Sequence, residues 1–164
     1  MEKTEKYTIK TASKTDFEWI KKLYARTWSG DICVSRGKVQ KVDDFTGGFV
    51  AETGGQNFGF VTYTITGPEV EITGIVSLTE KNGVGSALVK AVIDLAKKQK
   101  LKKVCLVTTN DNLNGIGFWQ KRGFKLVKVY PGSMEYVRKI KPAVPLIGEN
   151  GIPLRDELEL EMIL

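Results

Sequence analysis

Two stretches of this chain of 164 residues have the residue types and spacing to do chemistry. The first is Leu78-Thr79-Glu80-Lys81-Asn82-Gly83-Val84-Gly85-Ser86-Ala87-Leu88, where a β-branched apolar run gives way to a helical pattern. Glycines let the main chain approach an anion closely, and a helix start offers unpaired N–H groups with partial positive charge. The backbone of Lys81, Asn82, Gly83, Val84, Gly85 and Ser86 therefore reads as a pyrophosphate cradle. It is not a dinucleotide fingerprint, because the third glycine of G-x-G-x-x-G falls on Leu88. Nor is it a Walker loop, because Lys81 precedes the glycines instead of following them. Taken alone, Gly-x-Gly before a helix is equally an ordinary strand-to-helix turn. The second stretch is Asn112-Leu113-Asn114-Gly115-Ile116-Gly117-Phe118-Trp119-Gln120-Lys121-Arg122-Gly123-Phe124. The carboxylates available as bases are Glu71 and the stripe Glu157, Glu159 and Glu161, which alternates with Leu158, Leu160 and Met162.

Composition narrows the chemistry further. Histidine is absent, which excludes a Ser-His-Asp triad, a Cys-His dyad and any His-ligated metal, and no metal is expected. Two cysteines, Cys33 and Cys105, build neither a four-cysteine zinc site nor a disulfide framework. The balance of 25 Lys and Arg against 19 Asp and Glu gives +6, which favours anionic partners. The basic cluster Lys97-Lys98-Gln99-Lys100-Leu101-Lys102-Lys103 fits a helix C-terminus, where cations complement the dipole. It lacks interleaved aromatics, so a nucleic-acid module is the weakest reading. No segment reaches the ~18 consecutive apolar residues of a membrane helix, and the first six residues contain no apolar core of a signal peptide. A cytoplasmic protein with no membrane or nucleic-acid partner is expected.

These groups need elements to position them. Residues 7–10 alternate as a first strand, and Ser13 or Thr15 caps a helix whose apolar stripe is Phe17, Ile20, Leu23, Tyr24 and Trp28. Residues 30–41 read as irregular, with a turn at Arg36-Gly37. Residues 49–52 and 58–66 form a hairpin around Gly54-Gly55, and residues 70–78 form a third consecutive strand. A long helix follows over 83–100, its face marked by Ala87, Leu88, Ala91, Val92, Leu95 and Ala96. Residues 103–108 are a strand, 112–122 a short helix closed by Gly123, and 124–130 a strand. Residues 131–155, with Pro131, Pro142, Pro145 and Pro153, read as a long loop. A last strand carries the acidic stripe. The unit spanning 70–108 should be a right-handed parallel crossover. The expected architecture is a single domain over 1–164: a mixed, mostly antiparallel α/β sheet with helices on both faces.

In order and spacing the two stretches resemble the GNAT superfamily of acyl-CoA-dependent N-acetyltransferases. The first signature, [Gln/Arg]-x-x-Gly-x-[Gly/Ala], is matched at Gly83 and Gly85. The second is matched at Asn112, Gly115, Ile116, Phe118, Gly123 and Phe124. The resemblance covers roughly residues 7–130, and residues 150–161 look like the tail of one bacterial subgroup. It implies acetyl-CoA as co-substrate, with its pyrophosphate on the backbone of residues 81–86. The edge of the third strand at Ile75 and Val76 would pair with the pantetheine arm, in a slot opened by divergence from the next strand. Asn112 would contact pantetheine or phosphate. The amine would attack the thioester directly, with the N–H of Ile75 or Val76 meeting the oxyanion. Glu71 would serve as base. Trp28, Arg36, Glu157 and Glu159 would line the acceptor site, with Arg36 able to bind a substrate carboxylate. Two positions depart from the family pattern. Glu80 stands where Gln or Arg is usual. Trp119 stands where many relatives carry a tyrosine that protonates the leaving thiolate; its ring would flank the CoA sulfur, and Tyr130 is the remote substitute acid. The acceptor is a small-molecule or peptide amine of unread identity, and a homodimer stays open. A catalytically weak CoA-binding sensor or scaffold is the alternative function.

Overall fold

The computed structural model describes residues 6–79 and 83–164. Seven strands form one sheet: β1 (Thr8–Thr11), β4 (Gly47–Thr53), β5 (Gln56–Thr66), β6 (Glu69–Ser77), β7 (Lys103–Thr109), β9 (Glu157–Ile163) and β8 (Lys125–Tyr130), in that spatial order. β6 and β7 run parallel, joined through α2 (Val84–Lys98), while every other neighbouring pair is antiparallel. This is the mixed, mostly antiparallel sheet with helices on both faces that the element order predicts.

Alternation along the strands builds two cores. On one face Val61, Val70, Ile72, Val104, Leu106 and Leu160 meet the apolar stripe of α2 and Trp119 of α3 (Leu113–Lys121). On the other, Val50 and Phe60 meet Ile20 and Tyr24 of α1 (Lys14–Thr27). Ser13 and Asp16 cap α1 reciprocally, each side chain taking up a main-chain N–H of the other.

Two segments differ from the sequence reading. The stretch expected to be irregular holds a hairpin, β2 (Ile32–Ser35) and β3 (Lys38–Lys41). Arg36 and Gly37 form its turn with φ of 51° and 76°, the paired left-handed geometry that matches strand twist. Strands this short and polar carry no clear alternation. The stretch expected to be a long loop holds α4 (Ser133–Ile140), whose Met134 and Val137 pack on Leu154. The prolines flank this helix: Pro131 precedes it and Pro142 follows its last turn, so they mark its ends.

A two-stranded hairpin is marginal alone, and β2–β3 is held to the sheet by Arg36. The guanidinium lies 2.8 Å from Glu71 and 2.9 Å from Glu69 on β6, and 3.4 Å from Glu159 on β9. Lys103 bridges Glu69 and Glu161 alongside. Burial works to raise the Glu69 pKa, but the Arg36 hydrogen bond and charge, with Lys103, bring it below the ordinary carboxylate range. Such a group adds stability above its unfolded pKa, and that share is lost as pH falls through the lower folded value.

Leu88, with 0% exposure in the α2–sheet core, should lose about 2–5 kcal/mol on Leu88→Ala in urea unfolding. Arg36→Met should cost about 3 kcal/mol, because it strands three carboxylates together. Measured from about pH 6 to about pH 3, the wild-type urea midpoint should fall, and in Arg36→Met that fall should weaken or reverse.

Candidate active site

The site begins where β6 and β7 stop pairing. Their ladder runs from Glu69 opposite Lys103 to Ile72 opposite Leu106 and goes no further. At the same level β6 bulges against β5, where Thr62 and Tyr63 face Gly74 and Ile72 with Thr73 left over. Beyond this point the side of β6 that faced β7 has no strand partner. The Leu78 N–H donates to the Phe58 carbonyl on β5. Main-chain groups alternate along a strand, so the amides of Val76 and Gly74 also turn to β5, while those of Ile75 and Ser77 turn to the open side. The Val76 carbonyl, 3.1 Å from where a Gly59 Cβ would stand, faces β5 too. Of the two expected donors, Ile75 is therefore the one whose N–H faces the open side, whereas the Val76 amide belongs to the ladder and its side chain to the α1 core.

Seven residues beyond Ser77, the end of β6, α2 starts at the same end of the sheet. Gly83 caps it with φ 69°, a left-handed geometry suited to glycine, and no side chain bonds to the first turn. The first-turn amides of Val84, Gly85 and Ser86 are thus uncapped by any described side chain. Gly85 has a second reason to lack a side chain: a Cβ there would lie 3.2 Å from the Phe118 ring. Ser86 Oγ also accepts from Arg122, whose guanidinium carbon stacks 3.4 Å over the Phe118 ring, and this joins α2 to α3. Lys81 and Asn82, expected in the cradle, lie outside the described residues, as does Glu80.

From the slot a cavity of about 640 Å³ passes through the sheet, lined on one side by Trp119, Asn112 and Thr108 and on the other by Trp28, Cys33, Lys141 and Glu157. Asn112 lines it but is committed as the cap of α3: its side chain accepts from the Gly115 N–H and donates to Thr108 Oγ1. A Cβ on Gly115 would stand 2.2 Å from that amide, which is why this pair occurs together. Trp119 is buried edge-on between Phe118 and Phe124, so it packs the core and presents only part of its surface to the cavity. Trp28 tilts against Tyr24 at 4.4 Å between ring centroids, and both crowd Gly74, where a Cβ would meet Tyr24 at 2.8 Å.

The carboxylates divide sharply. Glu71, expected as the base, lies outside the cavity lining; one oxygen accepts from Ser35 Oγ and the other from Arg36. Glu159 is likewise taken up by Arg36 and the Tyr130 hydroxyl. Arg36, expected at the acceptor, spends its donors on these carboxylates. Tyr130 is a poor acid, since burial first and then Glu159 push its pKa up to about 12. Glu157 alone of the acidic stripe lines the cavity. It is 6% exposed, and burial raises its pKa. The Ser133 hydroxyl, close by but without a well-formed hydrogen bond, offsets that rise only in part. β9 is no sheet edge: it lies between β7 and β8 and carries Glu157 inward.

Sequence reasoning missed several cavity residues, among them Tyr24 as a polar group, Lys141, and the buried Asp111, whose oxygens accept from Thr109 Oγ1 and the Glu149 N–H. Tyr24 was read as core, yet its hydroxyl donates to the Thr73 carbonyl at the bulge. Lys141 sat in the apparent loop; the spacing Met134, Val137, Lys141 after Gly132 was the available helix signal.

The acetyltransferase (GNAT) family model matches residues 12–124. The chain is 36% identical over 143 residues to the uncharacterized protein YdhI of Bacillus subtilis, covering 87% of this chain and 89% of that one. It is 32% identical to YxbD of the same organism, over 84% of this chain and 87% of that one. In fold it is similar to an IAA acetyltransferase from Bacillus cereus (TM-score 0.72, 21% identity, 97% and 100% covered). It is also similar to a Bacillus subtilis acetyltransferase in complex with CoA (TM-score 0.70, 22% identity, 97% and 99% covered). A GNAT family acetyltransferase from Elizabethkingia anophelis with acetyl-CoA bound gives a TM-score of 0.69 at 22% identity, with 96% and 98% covered. With the split sheet, the glycine-capped helix and these matches together, the chain belongs to the acetyltransferase (GNAT) family.

Proposed function

We propose that the protein is an acetyl-CoA-dependent N-acetyltransferase in which Glu157 takes the proton from the acceptor amine. One observation carries this reading: β6 loses its partner beside a helix start with no side-chain cap, and the Ile75 N–H turns into the resulting slot. The residues fit the co-substrate. The uncapped amides of Val84, Gly85 and Ser86 suit pyrophosphate oxygens, and the free edge at Ile75 suits an extended amide-bearing arm. The CoA and acetyl-CoA in the similar structures support the same choice. When bound, acetyl-CoA supplies an activated acyl thioester. The chain then contributes positioning, a preorganised Ile75 donor toward a carbonyl oxygen, and a base.

Glu157 fits the base better than Glu71. It faces the cavity without a hydrogen bond to any described side chain, whereas both oxygens of Glu71 are engaged. Its raised pKa makes it a stronger proton acceptor than an ordinary glutamate. Glu71 and Glu159 act as positioning residues through Arg36. Among the described residues no cavity phenol is tuned as an acid: the Tyr24 hydroxyl donates to Thr73 and burial pushes its pKa up. The two cysteines are free thiols, which supports a cytoplasmic setting for the reaction.

Calorimetric titration with acetyl-CoA should show binding within ~1 µM to 1 mM; no heat across that range rejects the reading. Glu157→Gln should slow transfer by ~10²–10⁴-fold and remove the acid limb of the pH–rate profile. In the wild type that limb should lie above the usual glutamate range, because Glu157 must be deprotonated to act and burial holds its proton. Glu71→Gln should leave the limb in place, and its loss there would return the base to Glu71.

A further inference from the structure

Lys141 follows the last turn of α4 and turns into the cavity that holds Glu157. Its Nζ donates to the Ile32 carbonyl at 2.9 Å. An ammonium carries three donors, and this is the one hydrogen bond it makes among the described residues. No carboxylate among them lies within 4.0 Å of it. Arg36 is paired with three carboxylates and Lys103 with two, while the half-buried Arg122 and Arg138 spread their donors over several oxygens and lie outside the cavity lining. Lys141 is instead half-buried with its counter-charge missing. Burial draws its pKa down, and Asp31 and Cys33 counter this only from a distance. A cation placed so is costly unless a partner completes it.

The surroundings say what kind of partner. Cys33, Lys141 and Glu157 line the same cavity, and the Cys33 thiol feels the charges of both neighbours. Beside it the lining is apolar: Val34, Met134, Val137 and Val144. The cavity therefore offers a base, an unpaired cation and apolar surface between two polar ends.

We propose that Lys141 binds a carboxylate of the acceptor, so that the amine substrate is an amino acid or related acid with an apolar body. The assignment rests on the acetyl-transfer reading above and narrows it. The carboxylate completes the ammonium, the amino group lies toward Glu157, and the apolar body covers Met134 and Val137. Arg36, the residue the sequence offers for this task, lies outside the cavity lining and its charge is already answered by Glu69, Glu71 and Glu159.

The test is release of CoA thiol from acetyl-CoA with matched acceptor pairs: phenylalanine against phenethylamine, leucine against isoamylamine, and 6-aminohexanoate against hexylamine. The carboxylated member should be favoured in kcat/KM by ~10–100-fold, mostly through KM, as one charge-assisted contact allows. Lys141→Met should erase that preference and Lys141→Arg should retain it. A preference for the decarboxylated amines, or one that survives Lys141→Met, overturns the assignment and leaves acetyl transfer standing. If Lys141→Met does not fold, the wild-type ratio decides. No thiol release with any amine of either kind overturns acetyl transfer and this inference with it.

Discussion

The whole arrangement depends on main-chain hydrogen bonds that β6 does not make. A buried strand ordinarily pairs on both sides, because an unpaired amide in a dry interior is costly. Here the parallel ladder with β7 ends after Ile72, and the bulge at Thr73 turns β6 further from its former neighbour. The protein covers the gap with other groups. Tyr24 reaches the Thr73 carbonyl from α1, and Asn112 with Thr108 closes the end of β7. The Ile75 amide is left facing a cavity, which is where a ligand with its own amides can restore the ladder. Binding and catalysis grow from one interruption in a sheet.

Around that interruption charge is kept in two separate compartments. Arg36 and Lys103 gather Glu69, Glu71, Glu159 and Glu161 into a network that ties β3's hairpin, β6, β7 and β9 together. Every member is answered, so the network holds shape and offers little to a substrate. In the cavity Glu157 and Lys141 have opposite sign, and neither has a charged partner among the described residues. A structural carboxylate and the proposed base differ here by two positions on one strand. Glu159 is buried under Arg36, while Glu157 lies where α4 leaves an opening.

The sequence made the sheet, the crossover helix and the glycine cradle legible because each has a local signature. Alternating β-branched runs, a 3.6-residue stripe over 87–96 and Gly83 before it are written in neighbouring residues. The β2–β3 hairpin and α4 were not. A strand such as Lys38–Lys41 has too few residues for a period to show, and α4 is eight residues between prolines, so its stripe is carried by Met134 and Val137 alone. The choice among Glu71, Glu157 and Glu159 was hidden for a different reason. All three share strand type and spacing, and only the long-range reach of Arg36, from a turn 123 positions away from Glu159, separates them.

The position of β9 bears on how a ribosome delivers this protein. It is the latest strand in chain order, yet it lies inside the sheet, between β7 and β8. Until it has emerged from the exit tunnel, β7 and β8 share no ladder, Arg36 lacks its third anion and the cavity lacks Glu157. The cofactor half of the molecule, built from β4 to α3, can condense earlier. A nascent chain thus completes the open edge of β6 and the glycine-capped helix start before Glu157 joins them.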